Sequence, residues 1–88
     1  MERRHDELLT TRLEDAMLNG CSHITWNELY HWYGMHKLAA GTYRDLKRRW
    51  EEVTDGRKAG TLKMVRGREG MFIFDASKVE SIDPDATK

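Results

Sequence analysis

Thr61-Leu62-Lys63-Met64-Val65-Arg66-Gly67-Arg68-Glu69-Gly70-Met71-Phe72-Ile73-Phe74-Asp75 is the stretch on which the fold turns. Both of its ends alternate in character from one residue to the next, the repeat of a pleated strand rather than of a helix. Leu62 and Met64 share one face of the first end, and Phe72 and Phe74 share one face of the second, so these four are the expected core contacts. Between them, Arg66-Gly67-Arg68-Glu69-Gly70 holds two glycines able to take positive φ, as a hairpin loop needs. The reading is a two-stranded β-hairpin with an arginine-bearing tip. Such a ribbon is not stable alone in water, so its apolar face must lie on the rest of the chain.

Upstream, the periodicity is helical. Over residues 5–19, Leu9, Leu13, Ala16 and Met17 fall on one face with Leu8 beside them, and Asp6, Glu7, Arg12 and Asp15 fill the other side. Asp6 and Glu7 suit the positive end of that helix, and Asn19-Gly20 is a stop. Cys21 to Ile24 reads as a short link in which Ile24 can pair briefly as a strand. Thr25-Trp26-Asn27-Glu28 matches a capping box, in which hydroxyl and carboxylate each satisfy one orphan amide. Trp26, Leu29, Tyr30 and Tyr33 then form the stripe of a second helix that Gly34 ends, leaving Trp32 off the stripe as a surface position or interface anchor. Met35 to Gly41 reads as a long turn, with a helical start at Lys37–Ala40 as the alternative. Gly41 favours the turn, because glycine inside a helix costs about 1 kcal/mol relative to alanine. Thr42-Tyr43-Arg44-Asp45 resembles a capping box with Asp for Glu, and Tyr43, Leu46, Trp50 and Val53 form the buried stripe of a third helix, closed by Thr54-Asp55-Gly56. After the hairpin, Ser77–Glu80 supplies at most one helical turn. The expectation is one domain over residues 1–80 and a flexible tail over 81–88.

At 88 residues and 10.3 kDa the chain supports one modest core, which argues against a large cleft enzyme. No apolar run approaches a membrane span, and Met1 to Asp6 lacks the apolar core of a secretion signal. A single cysteine fits a reducing, cytoplasmic setting. Cys21, His23, His31 and His36 match no structural zinc spacing. Cys21 lacks the paired base and orienting group of a nucleophile, and no glycine-rich loop stands between a strand and a helix. Neither an enzyme, a metal nor a cofactor is expected.

The formal charge is zero but segregated. Residues 1–35 hold three arginines against six carboxylates, residues 36–68 ten basic side chains against four acidic ones, and residues 69–88 two lysines against five carboxylates. A local field, not the net charge, steers a polyanion, so the basic middle block points to double-stranded DNA. The bland alternative is a solvated helix face in which Lys47 and Arg48 pair with Glu51 and Glu52 four residues on.

Helix, capped helix, turn, helix and hairpin, from about Leu8 to Asp75, resembles the winged helix-turn-helix superfamily, an α+β fold of three helices followed by a hairpin wing. Gly41 to Trp50, with its small start and apolar positions at Tyr43, Leu46 and Trp50, is similar to the recognition helix of plasmid KfrA-type regulators. Their long coiled-coil tail has no counterpart in these residues, so their mode of assembly is not carried over. Arg68 to Phe74, followed by Asp75-Ala76-Ser77-Lys78-Val79, is similar to the wing and following segment of phage excisionases. These resemblances imply a DNA-binding regulator or architectural factor of a mobile element.

On that reading the third helix enters a major groove. Arg44 contacts bases, with Lys37 or Thr42 at the helix entry, and Lys47, Arg48, Lys63, Arg66 and Arg68 hold phosphates. A module this small reads few base pairs, which favours a homodimer. The rival is a protein-docking winged helix, such as a phage inhibitor or assembly adaptor, acting through an exposed aromatic surface that includes Tyr30 and Trp32.

Overall fold

A computed structural model describes residues 1–85, so the last three residues of the expected tail, 86–88, lie outside the described residues. It is a small α+β domain: α1 (Arg3–Asn19), β1 (Cys21–Thr25), α2 (Trp26–Tyr33), α3 (Ala40–Val53), β2 (Leu62–Arg66) and β3 (Gly70–Asp75), followed by a 3-10 turn at Ala76–Lys78. Among the described residues no helix is long and apolar enough to cross a membrane.

α1 follows the expected stripe. Leu9, Leu13 and Ala16 are fully buried, and Gly20 ends the helix in the left-handed region at φ 91°, where a Cβ would be strained. The capping box of α2 forms as read: Thr25 Oγ1 accepts from the Glu28 amide at 3.1 Å, and the Glu28 carboxylate accepts from the Thr25 amide at 3.0 Å.

The sheet corrects the two-stranded expectation. It has three antiparallel strands in the order β1-β3-β2, so β3 is central and the link containing Ile24 is a full edge strand. β1 pairs Ile24 with Met71, and β2 pairs Met64 with Ile73. This register fixes the buried face of β3 as Met71, Ile73 and Asp75, whereas Phe72 is exposed and Phe74 half-buried on the outer face. Both faces of β3 are apolar, so alternation alone had no means of choosing between them. The connection from β2 to β3 turns without positive φ at Gly67 or Gly70. Gly70 is required for another reason: a Cβ there would stand 2.2 Å from the Ile24 carbonyl oxygen.

Two helix readings also change. α3 begins at Ala40 rather than after Gly41, with Ala39 as an N-cap that offers no side-chain bond. Thr42 therefore lies inside the first turn, 5% exposed, with its hydroxyl on the Met35 sulfur at 3.2 Å. Trp32 is core, at 5% exposed, with the Arg12 guanidinium 5.4 Å above its ring. α2 is covered from two sides, and that burial of Trp32 depends on α1, which lies outside the local sequence window.

Candidate nucleic-acid interface

α3 carries the densest run of cations, and ion pairing divides them. Leu46 and Trp50 face the core, while Tyr43, Arg44, Lys47 and Arg48 face outward. Asp45, expected as a cap, is instead a hub. It accepts from the Tyr33 hydroxyl at 2.6 Å, from Arg49 Nε at 2.7 Å and from Arg48 Nη2 at 2.7 Å. Burial alone would raise its carboxyl, but these donors outweigh that and hold it at about 2. Burial raises the Tyr33 hydroxyl, and the hydrogen bond to Asp45 raises it further. Burial also works against the charge on Arg49, and the hydrogen bonds to Asp45 and Asp6 overcome it, so that guanidinium stays protonated. Arg48 completes its fork on Glu52 at 2.7 Å.

Arg48 and Arg49 are thus held by carboxylates. Of the two pairs offered by the four-residue spacing, the one that forms is Arg48–Glu52, and Lys47 makes no ion pair among the described residues. Arg48, expected on phosphate, has both terminal nitrogens engaged.

The remaining cations are exposed. Of the ten basic side chains in residues 36–68, the two just described are paired, leaving Lys37, Arg44, Lys47, Arg57, Lys58, Lys63, Arg66 and Arg68 without an ion pair among the described residues. Of the four carboxylates there, Asp45 and Glu52 are paired, leaving Glu51 and Asp55. The free charge of this block is therefore more one-sided than its composition.

Lys47 on α3 and Lys63 on β2 border one groove of 560 Å³ between that helix and the sheet. Its floor is apolar, formed by Leu46, Trp50, Leu62, Met64, Met71 and Ile73. Trp50 ties the two walls together at one end, its indole N–H donating to the Gly60 carbonyl at 3.0 Å. Tyr43, read as core from its helical spacing, lies on the groove's border at 41% exposed.

The loop between β2 and β3 is anchored on α2. The Trp26 amide donates to the Glu69 carbonyl at 3.1 Å, and its indole N–H donates to the Gly67 carbonyl at 3.1 Å. The Arg66 guanidinium lies 5.3 Å over the Trp26 ring, which stacks at 6.0 Å on Tyr30. Arg68 is exposed at the loop and Lys37 in the segment between α2 and α3. Sequence reading missed this anchoring role of Trp26, whose indole finds its partner 41 residues away. Thr42, named as an entry contact, is buried and faces Met35 instead of solvent. Trp32, named as a protein-docking contact, is likewise unavailable, which removes the centre of the aromatic surface that the rival reading requires.

No protein-family model, no curated protein and no solved structure matches this chain.

Proposed function

We propose that the protein is a small winged-helix module that binds duplex DNA, a regulator or architectural factor of the phage or plasmid type. α3 lies in the major groove and the β2–β3 loop lies on the flanking backbone. The element order and the three-stranded sheet fit this arrangement. The observation that carries the reading is the surplus of unpaired cations over unpaired carboxylates in residues 36–68, with Lys47 and Lys63 bordering one groove. Arg44 is the base-contacting residue, being exposed on α3 and without an ion pair among the described residues. Lys37, Lys47, Lys63 and Arg68 supply phosphate attraction, with Arg66 held nearer to the Trp26 ring.

Gel-shift titration across a salt series tests this directly. Four to six phosphate contacts give log K against log salt a slope of about −4 to −5. Arg44→Ala lowers discrimination between the preferred and a scrambled duplex by about 1–3 kcal/mol while keeping most of the slope. Affinity that does not change with salt sinks the reading.

A further inference from the structure

The two edges of the sheet are finished differently. The register pairs Gly20 with Asp75 and Trp26 with Glu69, so in β1 it is Cys21, His23 and Thr25 whose backbone groups point away from β3. There the His23 carbonyl accepts from Arg12 at 2.7 Å and the Thr25 amide donates to Glu28 at 3.0 Å. In β2, backbone bonds join Ala76 to Thr61 and Gly67 to Gly70, which leaves Leu62, Met64 and Arg66 with their backbone groups directed outward. Among the described residues no strand covers that side, because β2 is the last in the order. An unpaired strand edge is a template for another extended segment.

Beside that edge lies the groove with its apolar floor, and the charged residues along it are Lys47, the single carboxylate Glu51 and Lys63, whose pairing with Phe74 puts its side chain on the outer face of β2. A matching segment is extended, acidic and carries an aliphatic residue. Val79-Glu80-Ser81-Ile82-Asp83 has this composition and forms neither helix nor strand. Ile82 is 98% exposed and Val79 61% exposed in the isolated chain. Its five residues match the length of β2, and Pro84, which lacks an amide hydrogen, would end the pairing.

We propose that the open edge of β2 and the groove beside it receive the segment Val79–Asp83 of a second copy of this chain. The segment of the same copy starts from the wrong side. The Lys78 side chain is fastened to α1 by its ammonium on the Met17 carbonyl at 2.6 Å and lies beside Gly20, which tethers the start of the segment towards α1 and β1 and away from the free edge of β2. β2 carries two cations, Lys63 and Arg66, and no carboxylate, so pairing it with β2 of another copy would only add like charges, whereas the acidic segment offsets them. Reciprocal exchange of the segment closes the assembly at two copies. This inference does not rest on DNA binding, although Lys47 and Lys63, proposed as phosphate contacts, border the same groove.

Sedimentation of the full chain from micromolar to millimolar concentration at low salt tests it. The expected result is a monomer–dimer equilibrium. Ile82→Asp weakens it about tenfold or more through lost apolar burial. Lys63→Glu weakens it to a similar degree, and adding Asp83→Lys to Lys63→Glu restores most of the affinity. A monomer at every concentration overturns the proposal, as does a dimer indifferent to Ile82→Asp. A monomer in which Ile82→Asp shifts the Met64 amide resonance also overturns it, by assigning the groove to the same copy.

Discussion

The two sides of the sheet solve the same physical problem in opposite ways. On the β1 side, Arg12 and Glu28 stand in for a missing strand. One nitrogen of Arg12 donates to the His23 carbonyl, Glu28 accepts the Thr25 amide, and the two side chains bond each other at 3.0 Å. The same economy runs along the seam between α1 and α3, where Arg49 joins Asp6 to Asp45. On the β2 side, among the described residues, no strand pairs with the backbone edge and Lys47 and Lys63 have no carboxylate partner, while the groove floor is apolar. Charges that are shared between elements hold the fold together, and charges left unmatched are available to something outside it.

Breaking the closed side produces the largest expected effect. Arg12→Met keeps apolar contact with Trp32 but leaves the His23 carbonyl and the Glu28 carboxylate without their donor. Loss of these charge-assisted bonds in a part-buried setting lowers unfolding free energy by about 3 kcal/mol. Lys63→Met, the matching change on the open side, leaves chemical denaturation unchanged within error. Equal losses from the two substitutions erase the distinction between the sides.

Acid sharpens the same contrast. The Arg12 hydrogen bond is the main reason that Glu28 is held at about 2, against an ordinary value of 4.5. A carboxyl depressed in the folded state takes up its proton first in the unfolded state. Its contribution is therefore complete above the ordinary value and is lost as pH falls towards the folded one. Urea titrations from about pH 5 down to about pH 2 should show a loss attributable to Glu28 of about 2 kcal/mol, allowing for screening of a partly exposed pair. Asp45, also held at about 2, adds to the slope over the same window. Glu28→Gln removes its share, so a variant with an undiminished acid slope assigns that slope to other groups.

What was legible in the residues follows the range of the interaction that decides them. The Thr25–Glu28 capping box is complete within four residues, and it forms as read. The stripe Leu9, Leu13 and Ala16 repeats at helical spacing and is buried as read. The buried face of β3 was not legible, because Met71-Phe72-Ile73-Phe74 is apolar on both sides and only pairing with β1 distinguishes them. Trp32 was misplaced for a similar reason: its cover comes from Arg12, twenty positions upstream. The candidate interface shares this limit. The sequence shows which side chains are cationic, but Asp45 and Asp6 decide which of them remain free, and Asp6 reaches Arg49 across 43 residues.

The finest test sets neighbours on one helix against each other. Lys47 and Arg48 are adjacent in sequence, both are exposed, and both carry one positive charge. Arg48 forks between Asp45 and Glu52, whereas Lys47 has no ion pair among the described residues and borders the groove. Releasing Arg48 to a phosphate would leave Asp45 and Glu52 facing that phosphate, so its net gain is small. Lys47→Ala should reduce the magnitude of the salt slope of DNA affinity by about one. Arg48→Ala should leave that slope nearly unchanged and slightly lower thermal stability. A matching drop for both variants means that helical ion pairs do not withhold a guanidinium from phosphate. The count of available cations would then revert to the one read from composition.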